Sequence, residues 1–209
     1  MRKSLLIGVM VFASMILIGF FLVLINKTSS IENQISYIEG SYSINVDDFR
    51  ALAGDADYVF SAEVTGIEGY IYKKPVMIET VTGAKRITTP YTDYSIRVIE
   101  NIKGKLQTED DIIIQKAGGI SEDGKITVIF EKDVLPEIGK TYIFYAYAQD
   151  DGSLLSAGPN SCLKLANEVN NGKKKVKAAD STYKKVLDGY NHQIETDRPR
   201  SKSKYEIDE

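Results

Sequence analysis

A single cysteine, Cys162, and a single histidine, His192, stand in a chain of 209 residues. One thiol cannot form an intrachain disulfide, so an exported domain in this chain has to hold together by packing. A lone cysteine with no histidine near it in sequence reads as a small apolar core residue rather than a redox site or metal ligand. His192 lies in a polar C-terminal stretch, which argues against Ser–His–Asp and Cys–His nucleophiles. Basic residues are in short supply: beyond position 27 there are 23 of them against 29 acidic ones, a net charge of −6. A nucleic-acid partner would want a basic stripe instead. Internal repeats are lacking. Gly118-Gly119 is followed by neither a helix opening nor a Lys-Ser/Thr pair, so a phosphate loop is unsupported.

The chain does have one long apolar run, Leu5 to Ile25, about 21 residues without a charge, which matches the hydrocarbon thickness of a bilayer. Arg2 and Lys3 precede it and Lys27 alone follows closely, so the positive-inside bias places the N-terminus in the cytoplasm and the rest of the chain outside. A cleaved secretory signal is the competing reading. The run is long for that, and no small-x-small cleavage site follows it. The expectation is a retained signal anchor over 1–27, a membrane partner for that helix, and a spacer over 28–46.

Asp47 to Gly54 reads as a short helix with an aspartate cap and a glycine stop. From Asp57 the period is two: Tyr58, Phe60, Ala62 and Val64 share one face of a half-buried strand. The alternation continues through Tyr72, breaks at Lys73-Lys74-Pro75, and resumes until Thr82-Gly83 turns the chain. Further strands are expected at Tyr91 to Ile99, Asp111 to Lys116, Ile126 to Phe130 and Lys140 to Ala148. Asp150-Asp151-Gly152 forms a hairpin turn into Ser153 to Ala157, and Cys162 to Leu165 is a last short strand. Tyr183, Val186, Leu187 and Tyr190 have helical spacing within a segment spanning 170–195. The charged stretch 196–209, with Pro199, reads as disordered. The expected fold is mainly β, an antiparallel barrel over 47–169 with flanking short helices, preceded by one transmembrane helix.

The segment order from about Ala51 to Leu165 resembles the netrin-like domain, the OB-fold barrel also found in tissue inhibitors of metalloproteinases and in a set of bacterial exported proteins. The residues that carry the likeness are the opening strand Ala56-Asp57-Tyr58-Val59-Phe60-Ser61-Ala62-Glu63-Val64 and the strand from Tyr94 that ends in the Lys103-Gly104 turn. Leu135-Pro136-Glu137-Ile138-Gly139-Lys140-Thr141-Tyr142-Ile143-Phe144-Tyr145, Asp151-Gly152-Ser153-Leu154 and Cys162 add to it. The resemblance implies an OB-type platform, on which many unrelated sites are found. The metalloproteinase inhibitors chelate zinc through a free N-terminal cysteine; no cysteine precedes the barrel here, so that mechanism does not carry over.

Carboxylate pairs at Asp55 with Asp57, Asp110-Asp111 and Asp150-Asp151 each sit beside a turn, where aspartate is favoured for local hydrogen bonding. Neither a metal site nor a cofactor is expected. OB barrels commonly bind through the second and third strands and adjoining loops. Tyr70, Tyr72, Lys73, Lys74, Lys85, Arg86, Tyr91 and Tyr94 flank the irregular segment there, and tyrosines with interleaved cations suit a sugar, peptide or anionic-polymer ligand. The plainer reading is tyrosines on ordinary strands. The functional expectation is a membrane-anchored, extracytoplasmic, noncatalytic binding or modulatory module of the cell envelope. Its alternatives are a carboxylate- or metal-dependent hydrolase and an immunity-type protein acting against a secreted peptide.

Overall fold

A computed structural model describes residues 34–81, 83–166, 168–170, 173–175 and 180–207. In chain order the elements are β1 (Gln34–Ile38), α1 (Phe49–Asp55), β2 (Tyr58–Thr80), β3 (Gly83–Lys103), β4 (Ile112–Ala117), β5 (Gly119–Ile120), β6 (Ile126–Phe130), β7 (Thr141–Ala148), β8 (Leu154–Ser156), β9 (Cys162–Lys164), β10 (Glu168–Asn170), β11 (Lys173–Lys175) and α2 (Ser181–Asn191). The expected anchor at 5–25 and the start of the spacer lie outside the described residues. Among the described residues no helix is long and apolar enough to cross a membrane.

The alternation on β2 builds the barrel. Tyr58, Phe60, Ala62 and Val64 point inward, where they meet Tyr94, Ile96 and Val98 of β3, Ile112 and Ile114 of β4, and Tyr142, Phe144 and Ala146 of β7. β2 pairs antiparallel with β3 and β7, β3 with β4, and β7 with β8, while β4 and β8 run parallel and complete the ring. The five barrel strands are therefore neighbours in the order first, second, third, fifth and fourth, and the fourth closes onto the first. β1, β6 and β5 form a separate three-stranded sheet.

The opposite face of β2 and β7 is apolar as well, because two helices cover it. Val59, Ile143 and Tyr145 pack against Leu52 and Ala53 of α1 and Tyr183 and Val186 of α2. Asp48 caps α1 by accepting the Arg50 N–H at 2.9 Å, and Asp180 caps α2 by accepting the Thr182 and Tyr183 N–H groups at 2.7 and 3.2 Å. Each cap contributes about 1 kcal/mol. Gly189 lets the helices close on each other, since a Cβ there would lie 2.8 Å from the Phe49 Cβ.

Three sequence expectations are corrected. The spacer contains a strand, β1, which pairs in parallel with β6 from Gln34↔Ile126 to Ile38↔Phe130. The break at Lys73-Lys74-Pro75 does not end its strand; it is a register shift between Lys73 and Val76, with Lys74 at φ 51. Proline has no N–H for the ladder, and a bulge is where a strand tolerates it.

The third correction concerns the tail, which as far as Ile207 is an ordered strap. The Arg198 Nη2 donates to the Asp55 carbonyl at 2.6 Å and the Arg200 Nη2 to the Gly54 carbonyl at 2.5 Å. Those carbonyls belong to the C-terminus of α1, where backbone acceptors have no partner within the helix. Further along, the Ser203 N–H donates to the Tyr58 hydroxyl at 2.8 Å, and Tyr205 packs against the barrel core. Composition reads these charges as solvated; they are instead matched to acceptors fixed by the fold.

Candidate functional site: an exposed ribbon and the cleft beside it

β4 pairs with β3 only from Tyr91 to Ile96, and β7 pairs with β2 only from Tyr58 to Glu63. Beyond the Tyr72↔Pro90 pair, β2 and β3 continue as a ribbon to Thr80↔Gly83, and among the described residues no third strand joins it. At about 3.3 Å per residue its eight-residue limb reaches on the order of 25 Å. Val76 is 56% exposed, Met77 64% and Ile78 38%, so consecutive aliphatic side chains meet solvent on both faces. Two-stranded hairpins are marginal on their own in water.

The eight expected site residues do not form one face. Tyr94 enters the barrel core, where burial pushes its phenol well above the usual range. Tyr91 is buried too, with the Lys73 ammonium 4.6 Å from its ring centroid while Lys73 Nζ donates to the Gln115 Oε1. Both tyrosines lie on the part of β3 that pairs with β4, which makes them barrel wall. Tyr70 is exposed opposite Thr92, before the free part of the hairpin; Tyr72 is half-buried at its start, and Lys73, Lys74 and Arg86 are exposed along it. The Lys85 backbone pairs with Ile78 there.

Arg86 belongs to a cleft that sequence reasoning missed. Its volume is about 360 Å³, and Ser36, Arg86, Ile87, Glu122, Ile126 and Val128 are among its lining. Ile87, Ile126 and Val128 supply apolar surface; the Arg86 guanidinium lies 3.6 Å from the Glu122 carboxylate at the rim. The Thr88 hydroxyl donates to Glu122 at 3.2 Å, and the turn is shaped by the Ser121 hydroxyl donating to Asp123 at 2.7 Å. Glu122-Asp123-Gly124 is legible in sequence only as a turn, because the cleft joins β1, β3 and the β5–β6 hairpin, which are far apart in the chain. An apolar floor with a few polar rim groups suits binding of a small or extended ligand.

Asp55, Asp57, Asp111 and Asp151 of the turn-side pairs are each engaged within the fold. Asp55 accepts the Tyr147 hydroxyl at 2.9 Å and the Thr196 hydroxyl at 2.7 Å, and Asp57 accepts the Ala148 N–H at 3.0 Å. The Thr65 hydroxyl and then Arg97 hold the Asp111 carboxyl below the usual carboxylate range. Asp151 accepts the Ser153 N–H at 2.9 Å. Among the described residues no three metal-ligating side chains cluster.

A second polar group, unrecognisable in sequence, lies inside the molecule. Lys116 of β4 and Asp133 of the β6–β7 loop have fully buried side chains and form an ion pair. The Lys116 Nζ also donates to the Ser161 Oγ at 3.1 Å; that hydroxyl donates to the Asp133 Oδ2 at 3.3 Å, and the Cys162 N–H donates to the Asp133 Oδ1 at 3.3 Å. Burial pushes the Asp133 carboxyl up, against the opposing pull of Lys116. Comparison of the chain with known protein families and with curated proteins finds no match in either.

Proposed function

We propose that the chain is a membrane-anchored, extracytoplasmic binding module on an OB-type, netrin-like barrel, and that it engages its ligand with the free ribbon and the adjoining cleft. The observation that carries this reading is the ribbon beyond Tyr72↔Pro90, which leaves Val76, Met77 and Ile78 in solvent without a third strand. A folded domain gains nothing in stability from aliphatic side chains held in water, so such a patch marks a contact surface. Strand order supports the OB-type assignment, and the apolar run at Leu5 to Ile25 with its charge asymmetry supports the anchor and its orientation. Lys73, Lys74, Lys85 and Arg86 make the ribbon basic within an acidic chain, which favours an anionic envelope protein, peptide or polymer.

The test places a photoreactive residue at Met77 in the full chain in its native membrane, with a second variant carrying it at Ile138, which is 58% exposed on a loop. A discrete adduct from position 77 and none from 138 is expected. Equal labelling at both positions, or none at 77, overturns the reading.

A further inference from the structure

We propose that Lys116 and Asp133 join through an intramolecular isopeptide bond between the lysine Nζ and the aspartate Cγ, formed by the folded protein itself. The inference stands apart from the binding reading and rests on this pair and the two groups assembled around it, the Ser161 hydroxyl and the Cys162 N–H. Both side chains are withdrawn entirely from solvent and in contact with each other. A charged pair in such a site bears the desolvation of two ions, whereas an amide replaces both charges by one neutral group. Fixed contact between amine and carboxyl also removes the entropic barrier to a bimolecular condensation.

The surrounding donors lie where the reaction needs them. One ammonium proton first crosses the ion pair to Oδ2; the Nζ lone pair so freed attacks Cγ, the Nζ–Cγ bond forms, and the tetrahedral intermediate places negative charge on Oδ1, where the Cys162 N–H already donates at 3.3 Å. Ser161 bridges the other two atoms, accepting from Nζ at 3.1 Å and donating to Oδ2 at 3.3 Å, which is a path for protons from nitrogen to the departing oxygen. Of the three ammonium protons, two end on Oδ2 and one stays on the amide nitrogen. The Cγ–Oδ2 bond breaks and water leaves. No electrons are transferred and no co-reactant is required. Burial pushes the Asp133 carboxyl toward its protonated form, the form that loses water. The product ties β4 to the loop before β7.

The test is the intact mass of the full chain, purified folded, held at neutral pH and then denatured, beside the Lys116→Met variant treated in the same way. The wild-type chain should be one water lighter than its sequence and the variant should carry its full sequence mass. A protease digest of the wild type should contain a branched peptide joining Lys116 to Asp133. Wild type at its full sequence mass overturns the proposal. So does loss of water in both proteins without the branched peptide, which would place the dehydration elsewhere, as at Asp123-Gly124 or Asp151-Gly152. Neither readout requires the variant to fold.

Discussion

The Arg198 Nη2 meets the Asp57 Oδ1 at 2.6 Å across 141 residues of chain. Asp57 opens the first barrel strand and its side chain is only 3% exposed, while Arg200 approaches the same oxygen at 3.2 Å. The two arginines thus neutralise a nearly buried carboxylate and also complete the carbonyl end of α1.

Replacing both arginines by alanine should therefore destabilise the domain. Breaking a fully buried pair costs about 3–5 kcal/mol, and these arginines are roughly a third exposed, so about 2 kcal/mol is expected. Urea unfolding measures it. The same variant should lose its tail to limited proteolysis, as the strap from Thr196 to Ile207 comes off the barrel. An unchanged urea midpoint would show that the strap rests on the barrel without supporting it.

Much of the barrel is legible in sequence because its strands carry an apolar residue at every second position. Tyr58, Phe60, Ala62 and Val64 announce an inward face, and Asp150-Asp151-Gly152 announces a hairpin. The strap is illegible for the reason that hides most long-range ion pairs: Arg198 and Asp57 carry no mark of each other. The exposed ribbon is half legible. Its tyrosines and cations draw attention to the segment, but only the pairing of β3 with β4 shows that Tyr94 turns into the core and Tyr91 is buried on the other face of the wall, while Val76 and Met77 meet solvent. Lys116 is misleading in isolation, since a lysine at a strand end is ordinarily solvated.

Lys103 should make stability rise with alkaline pH. Its ammonium donates to the Ala53 carbonyl at 2.6 Å, and burial followed by repulsion from Arg200 brings its pKa down to about 8 from an ordinary 10.5. Between those values the unfolded chain binds the proton and the folded chain does not, so unfolding takes up a proton and stability increases with pH. The gain is complete above the unfolded value and is lost as pH falls through about 8. Tyr58, pushed up to about 12 by burial and by Glu206, reverses the trend above pH 10, where the unfolded chain ionises first. Chemical denaturation from pH 7.5 to pH 10 should show the rise in the wild type and a flatter profile in Lys103→Met.

Cys162 is 1% exposed in the barrel interior, and burial drives its thiol far from ionisation. Cys162→Ser should cost about 1 kcal/mol, the desolvation of a hydroxyl in an apolar site, as read from thermal unfolding. The folded wild type should resist alkylation. Rapid alkylation of the native protein would show that the thiol is accessible and has a chemical role.

Changing Lys73, Lys74, Lys85 and Arg86 together to glutamine should separate binding from folding. The barrel core does not include them, and the Arg86–Glu122 pair is more than half exposed on both sides, so it contributes little. Among Lys73, Lys74 and Arg86, Lys73 has further contacts, an exposed cation–π contact over Tyr91 and a hydrogen bond to Gln115, each worth about 1 kcal/mol. Stability should therefore fall by no more than roughly 2 kcal/mol. Attraction for an anion should fall far more, since the variant removes four positive charges from a ribbon whose charged residues otherwise include Glu79. Retention on immobilised polyphosphate is the measurement, made at low and at physiological salt. The wild type should be retained more strongly at low salt, where screening is least, and the variant should elute early in both. If the two proteins elute together at both salts, the ribbon's cations have no part in recognition, and its exposed aliphatic side chains must carry any contact alone.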